Sequence, residues 1–526
     1  MEAEGLCWSF FRRAADSPGR PALEVDGRNV TYGELAVHAR AIAATLLEHS
    51  PSTGPALTAV LAHRSPTAFA GILGALARGH GYVPLNPGFP PARNRAMLER
   101  AGCEAVIVDS SARSDVSGLI EGLDRELLLV LPDEDDVEPY AREWAPHRVV
   151  RAPEAAADGV LEPLPVRSDD PAYLLFTSGS TGVPKGVAVA HANVRAFLDA
   201  VAERYGFSED DRFSQTFNLT FDLSVFDLFA AWDCGGCVCC PSDKSLLNPA
   251  DFIRSSGITV WFSVPSIGLF MKRLRVLKPA SLPALRWSLF CGEALPDALA
   301  REWAAAAPGS TVENLYGPTE ATIACTAYRW DPGRSQDESE LGVVPIGHPL
   351  GAMSTLVVGD DLDEVSPGEA GELLLTGPQV VEGYWNDEQA TSRAFVSVSG
   401  RPYYRTGDRV RRGSEEEPLR YLGRLDNQIK VLGHRVELGE VEAAIREETG
   451  VDAVVALGWP RSETGAAGIA AFVADTEVDA TSLRAGLARR LPGYMVPRVL
   501  RLVEELPLNA NGKWDRGALI RLLDEG

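Results

Sequence analysis

The sequence predicts an α/β protein: a large N-terminal domain of parallel-rich sheets flanked by helices, carrying a small β-barrel-like subdomain, and then a small α+β C-terminal lobe. Three observations predict this. Apolar strand-like runs alternate with helical patterns through the first two thirds of the chain, which is the rhythm of parallel strands covered by helices. Short strands punctuated by Gly and Pro replace that rhythm over about 342–425. Beyond Asp426 a third texture begins, with its own apolar core pattern, so the domains are drawn as 1–425 and 426–526.

In chain order, Phe69, Ile72, Leu73 and Leu76 have helical spacing, and Val106–Val108 and Leu127–Leu131 are apolar runs of strand length. Residues from about Arg151 to Pro171 are rich in Pro, Ala, Asp and Glu and read as a surface connection. Tyr173–Phe176 and Val187–Ala190 are strands around a loop, followed by a helix with Val194, Phe197, Leu198 and Val201 on one face. Ser354–Val358 and Gly371–Leu375 are strands of the small subdomain. Leu438, Val441 and Ile445 mark a helix ending at Gly450. Strands near Val454–Leu457 and Ile469–Val473 and a helix through Leu483, Leu487 and Leu491 complete the last lobe.

The chain has 526 residues, 45% hydrophobic and 23% charged, with a formal net charge of −23. That length exceeds one compact core. The negative charge disfavours nucleic acid, since a phosphate backbone would be repelled by most of the surface. No apolar run reaches the roughly 18–20 residues of a membrane helix, so no membrane association and a cytoplasmic location are expected. Eight cysteines in this length are not a disulfide framework. The cluster Cys234, Cys237, Cys239 and Cys240 reads as reduced thiols in and around a buried strand.

The stretch Thr177-Ser-Gly-Ser-Thr-Gly-Val-Pro-Lys-Gly186 follows a strand and combines three glycines, four hydroxyls and one lysine. Glycines let the backbone approach an anion, while hydroxyls and N–H groups donate to phosphate oxygens. It lacks the spacing of a Walker A loop.

With this loop in place, the sequence resembles the adenylate-forming superfamily, and within it the amino-acid adenylation domains of nonribosomal peptide synthesis. The first matching segments are Thr31-Tyr-Gly-Glu-Leu, Gly81-Tyr-Val-Pro-Leu, the loop above, Phe221-Asp-Leu-Ser and Asn314-Leu-Tyr-Gly-Pro-Thr-Glu. Gly371-Glu-Leu with Gly383-Tyr-Trp, Tyr404-Arg-Thr-Gly-Asp and Gly423-Arg-Leu-Asp-Asn-Gln-Ile-Lys follow, then Leu491-Pro-Gly-Tyr-Met-Val-Pro and Asn511-Gly-Lys-Trp-Asp-Arg. They occur in the family's order over nearly the whole chain. The resemblance implies a C-terminal lid that swings about a hinge at Asp426 between adenylation and thioester formation.

The resemblance also implies the chemistry. An anionic carboxylate attacks an anionic α-phosphate of ATP, so charge must be neutralised, by Lys513 and by a Mg²⁺ held on Glu320. Thr177, Ser178, Gly179, Thr181, Gly317 and Thr319 are expected around the phosphates. Asp408 is expected on the ribose hydroxyls, with Arg424 adding a ribose or phosphate contact. Tyr316 is expected to stack on adenine and Asn314 to read its amino edge. Lys185 is placed with the nucleotide set, although it and Lys430 are open to contacts with nucleotide or carrier and to no specific contact at all.

Asp222 decides the substrate class: in amino-acid-activating members this aspartate pairs with the α-ammonium, and a carboxylate in an apolar pocket is tolerable only when paired. Aligned on the motifs, the remaining wall is Leu223, Phe226, Phe262, Leu289, Cys291, Leu315, Ile323 and Ala324, none of them charged. A polar substrate side chain would be left without partners there, and the bulk of the wall implies a small cavity. Proline, valine, leucine and alanine fit. The lining, with Asn86-Pro-Gly-Phe-Pro and Phe290-Cys-Gly-Glu-Ala-Leu-Pro, resembles that of stand-alone prolyl-AMP ligases, which makes L-proline the first choice.

The chain ends ten residues after Arg516 without a Gly-Gly-x-Ser attachment site. A stand-alone ligase is therefore expected, loading the phosphopantetheine arm of a separate acyl or peptidyl carrier protein. Arg484, Arg489, Arg490 and Arg498 offer either a basic face for that partner or a merely solvated helix face. The need for a small activating partner protein stays open. The rival readings are an acyl- or aryl-CoA ligase and a non-catalytic adenylate-binding protein of the same fold.

Overall fold

The computed structural model describes residues 2–50, 54–153, 162–179, 184–242, 244–414, 416–426, 428–462, 464–474, 476, 478–507 and 514–525. Among these, two large sheets form the N-terminal body. The seven-stranded sheet runs Lys185–Ala190, Pro171–Thr177, Gly81–Leu85, Leu57–Leu61, Ala105–Val108, Leu128–Leu131 and Arg148–Arg151, all parallel except the first pair. The nine-stranded sheet has a parallel centre: Thr311–Tyr316, Trp287–Phe290, Val260–Ser263, Arg212–Ser214, Cys237–Cys240 and Pro21–Val25. Its outer strands pair antiparallel.

The central parallel strands are largely apolar, as burial on both faces requires. Leu57–Leu61 and Gly81–Leu85 are buried at every residue, and so is Cys237–Cys240, which places three of the four clustered cysteines inside the sheet. The helix Pro66–Ala77 starts on Ser65, whose Oγ accepts from Ala68 N–H, with Pro66 at the first helical position. It carries the predicted Phe69, Ile72, Leu73 and Leu76 into the core. The helix His191–Tyr205 buries Val194, Phe197, Leu198 and Val201 as its spacing predicts.

The barrel-like subdomain is a five-stranded antiparallel sheet over Ser354–Arg424, in which the long strand Arg401–Arg411 serves three neighbours. The last lobe has a three-stranded sheet (Val454–Gly458, Ile469–Ala474, Val499–Val503) and a hairpin, Gln428–Val431 with His434–Glu437. Its helix Leu438–Thr449 stops at Gly450, which takes the left-handed φ of +71°. The next helix ends at Ala488, before Leu491, because Pro492 cannot extend it. One short pairing falls in the segment read as connection: Val166–Arg167 pairs with Glu2–Ala3. Among the described residues no helix is long and apolar enough to cross a membrane.

Candidate active site

The C-terminal ends of strands Pro171–Thr177, Trp287–Phe290 and Thr311–Tyr316 converge on one cleft, the usual ligand edge of a parallel sheet. The lid hairpin closes it. The cavity there is about 90 Å³. It gathers Thr177, Ser178, Asp222, Leu223, Cys291, Tyr316, Gly317, Thr319, Ile323, Asp408 and Arg424 from segments far apart in sequence. An adjoining cleft of about 690 Å³ carries Asn314, Leu315 and Asp426 beside Tyr316 and Arg424. Thr181 and Lys513 lie outside the described residues.

Asp222 precedes the helix Leu223–Cys234 but does not cap it with its side chain. Its Oδ2 instead accepts from Ile323 N–H at 3.1 Å. That N–H is presented by a turn in which Thr322 and Ile323 both have positive φ, +56° and +72°. Two β-branched residues there are strained. The turn is held by Gln379, whose side-chain amide donates to the carbonyls of Ala321, Thr322 and Ala324, while Thr322 Oγ1 donates to Gln379 O. Gly317 lets the two backbones touch, because a Cβ there would sit 2.6 Å from Ala324 Cα. Burial pushes the Asp222 carboxyl up to about 6, although it sits at a helix N-terminus and accepts a backbone N–H.

All eight predicted wall residues fall in one buried cluster. Only Leu223, Cys291 and Ile323 reach the cavity beside Asp222. Leu315 lines the adjoining cleft instead, and Phe226, Phe262, Leu289 and Ala324 lie in the buried cluster away from the cavity, Phe226 and Phe262 edge to face at 4.8 Å and both essentially inaccessible. Burial pushes the Cys291 thiol up to about 12, so it is wall and not nucleophile.

Asp408 lies on the long strand opposite Arg424, whose Nη1 donates to its Oδ1 at 3.0 Å. Tyr316 Oη donates to Asp408 Oδ2, so the phenol is tied to that carboxylate. Asn314 spends its amide nitrogen on the carbonyls of Val344 and Pro345, leaving Oδ1 buried without a donor. An unsatisfied buried acceptor beside a cleft suits an amino edge. Arg424 also reaches Asp426 at 2.6 Å. Burial works against its charge, but the two carboxylates outweigh that and hold the guanidinium above its ordinary value.

Glu320 is almost inaccessible, and both its oxygens are engaged. Tyr384 Oη donates to Oε1 at 2.7 Å and Arg435 Nη1 to Oε2 at 2.8 Å. Burial raises its carboxyl, and the Arg435 charge and Tyr384 hydroxyl overcome this and keep it below the usual range. With the lid docked this way Glu320 offers no open oxygen to a divalent ion, so the predicted metal role does not fit this arrangement. Lys185 Nζ stands 5.3 Å from the Tyr384 ring centroid, on the same side of the cleft.

Several residues here escaped the motif reading. Arg435 and Glu437 sit in Gly433-His-Arg-Val-Glu437, where charged residues alternating with Val436 in a short strand directly after the Gly423–Lys430 motif were the available signal. Lys430, which the motif reading named but left open, projects from the same hairpin among Asp408, Cys291 and Glu293, and burial lowers its ammonium pKa. His434 stacks on Tyr494 at 3.8 Å and meets Phe221 edge-on at 4.6 Å. Arg93 and Glu440 form a buried pair, 2.6 Å apart, between body and lid. The proposed basic face is largely spoken for: Arg490 pairs with Glu447 and Glu448, and Arg484 donates to backbone carbonyls.

The profile of the AMP-binding enzymes matches residues 10–385, and that of the AMP-binding enzyme C-terminal domain matches 440–513. The chain is 30% identical over 526 residues to the D-alanine–D-alanyl carrier protein ligase of Bacillus licheniformis, covering 98% of each protein. It is 32% identical to Tyrocidine synthase 3 of Brevibacillus parabrevis over 97% of its own length, but spans only 8% of that much longer protein. Among solved structures, the Vibrio cholerae adenylation domain AlmE with glycyl-adenosine-5'-phosphate superimposes with a TM-score of 0.89 at 31% identity, covering 99% of this chain and 98% of that one. With matching sequence profiles in both parts of the chain and a cleft built from the motif residues, this protein belongs to the AMP-binding enzyme family, the adenylate-forming ligases that include amino-acid adenylation domains.

Proposed function

We propose that this protein uses ATP to activate a small apolar α-amino acid, L-proline first among the candidates, and passes the acyl group to the phosphopantetheine thiol of a separate carrier protein. The observation that carries the reading is Asp222, a buried carboxylate in a small cavity where Leu223, Cys291 and Ile323 stand beside it. A carboxylate in that position needs a cation, and the α-ammonium of a bound amino acid is one.

In the first step a carboxylate oxygen of the amino acid bonds to the α-phosphorus, and the bond from that phosphorus to pyrophosphate breaks. Asp222 orients the amine; Asp408 and Asn314 Oδ1 are positioned for ribose and adenine; Lys513 supplies positive charge in this reading. Asp426 serves as the hinge. In the second step a thiol sulfur bonds to the acyl carbon and AMP leaves. A cavity of about 600 Å³, bounded by Thr216, Phe217, Asn218, Phe221, Gly433 and His434, adjoins the Asp222 cavity through Phe221, Leu223 and Gly433 and suits a pantetheine arm. The carrier protein ligase relative and the glycyl-adenylate complex of the AlmE structure support small amino acids and a carrier acceptor. ATP–pyrophosphate exchange across the proteinogenic amino acids tests the reading: proline is expected to lead, with alanine and valine behind. Leading exchange with glutamate or tyrosine would overturn the pocket assignment, and thioester formation on free coenzyme A in preference to a loaded carrier would favour a CoA ligase.

A further inference from the structure

Among the described residues lining the cavity of about 600 Å³, Glu293 is the one carboxylate. The chain reaches it from the strand Trp287–Phe290 through Cys291, which lines the Asp222 cavity, and Gly292, whose φ of +92° turns the backbone. Past that turn residue 293 lines the larger cavity instead. A Cβ on Gly292 would meet Val264 Cγ1 at 3.2 Å, and one on Gly433 would meet the same atom at 2.6 Å. Gly433 is shared by the two cavities, so Glu293 stands where they adjoin. Its side chain is buried, and Oε2 accepts from Ser266 N–H at 2.8 Å. That bond caps the helix Pro265–Arg273, whose own N-cap residue, Val264, makes no side-chain cap. A neutral amide would cap it equally without a charge to bury. The cap does not account for the carboxylate.

Thioester formation requires a proton acceptor at this junction, because the attacking thiol must lose its S–H proton whereas AMP leaves as a phosphate anion and needs none. On the adenylation reading of this cleft, we propose that Glu293 is the general base of the transfer step. Its carboxylate takes the S–H proton as sulfur bonds to the acyl carbon, the bond from that carbon to the AMP phosphate oxygen breaks, and AMP departs with the electron pair. The groups facing Glu293 are Ser266 of the helix, the Gly433 N–H and Lys430 of the hairpin. Arg64, Arg273 and His434 also line the cavity. Burial raises the Glu293 carboxyl over the pull of its three neighbours, and it pushes the His434 imidazole down to about 4. The same desolvation therefore strengthens the glutamate as a proton acceptor and weakens the histidine.

The test uses the full chain, loaded with adenylate of whichever amino acid leads pyrophosphate exchange and mixed with saturating 4′-phosphopantetheine as the acceptor thiol. Transfer is read in a single turnover per bound adenylate, so effects on the first step cancel. At pH 7, Glu293→Gln should slow transfer about a hundredfold, within the usual contribution of a general base. Between pH 7 and pH 8 the Gln variant should speed up about tenfold, following the thiolate in solution, while wild type stays flat. Added formate should speed transfer severalfold in Glu293→Ala and leave wild type unchanged, and His434→Asn should keep the flat profile. Four results would overturn the assignment: transfer equally fast in wild type and Glu293→Gln, a loss that saturating thiol removes, a pH dependence moved by His434→Asn instead, or a tenfold rise with pH in wild type itself. The last needs no variant, so a folding defect at position 293 does not protect the proposal. Absence of bound adenylate on wild type with every amino acid would sink the adenylation reading and this step with it; adenylate that forms and transfers without regard to Glu293 sinks this step alone.

Discussion

Replacing Asp222 by Asn should exchange activity for stability, and both magnitudes follow from its surroundings. The folded-state pKa of about 6 lies above the ordinary aspartate value of 3.8. At pH 7 the ionised side chain therefore burdens the free protein by about 3 kcal/mol, taking 1.36 kcal/mol per pKa unit. The sign follows from proton uptake: the folded state holds the proton more tightly, so this burden is absent below pH 3.8 and complete above pH 6. Asn carries no charge and can still accept the Ile323 N–H, so at pH 7 the ligand-free variant should unfold at a higher temperature, an advantage that vanishes in acid. The bound amino acid reverses the balance. Removing one partner of a buried ion pair costs about 3–5 kcal/mol, or two to four orders of magnitude in kcat/KM for the amino acid. Wild-type kcat/KM should also fall as pH drops through about 6, where Asp222 gains its proton, and the Asn variant should lack that inflection. Exchange kinetics against pH and thermal unfolding at pH 4 and pH 7 measure both effects. An Asn variant that keeps kcat/KM within tenfold of wild type would refute the reasoning.

Asn314→Leu removes the free Oδ1 and should raise the KM for ATP about three- to tenfold, one hydrogen bond's worth, while weakening discrimination against a 6-oxo purine triphosphate; steady-state kinetics with both nucleotides checks this. Arg93→Met leaves the Glu440 carboxylate buried without its partner, so carrier aminoacylation should fall at least tenfold relative to pyrophosphate exchange, as single-turnover thiolation would reveal. Gly317→Ala forces a Cβ to 2.6 Å from Ala324 Cα, and chemical denaturation should show a loss of about 1–3 kcal/mol. Lys513→Ala should abolish most adenylation while leaving hydrolysis of supplied aminoacyl-adenylate little changed.

The parallel core was legible because its strands are uninterrupted apolar runs and its helices keep strict spacing, as at Phe69–Leu76 and Val194–Val201. Thr177, Ser178, Asp222, Tyr316, Thr319 and Asp408, which the fold brings to one cleft, could be picked out because they lie in short contiguous signatures. What escaped was anything defined by two distant segments. Glu320 reads in sequence as an open metal carboxylate, and only the fold reveals that Arg435, 115 positions later, stands on it. The same holds for Arg93 and Glu440, separated by 347 positions, and for the hold of Gln379 on the Thr322–Ile323 turn. No periodicity encodes such pairs. Nor could pocket alignment separate residues that line the cavity from those buried away from it.

That separation bears on any attempt to change what the enzyme accepts. Phe226 and Phe262 lie in the buried cluster away from the cavity, and their rings continue into Phe197, Phe207, Phe213 and Phe217 in a single aromatic lattice. Truncating either ring to enlarge the pocket would hollow the domain interior at a cost of about 3–5 kcal/mol. Broader selectivity in this scaffold is therefore coupled to foldability, and engineered or natural variants that accept bulkier amino acids should carry compensating growth among those phenylalanines' neighbours.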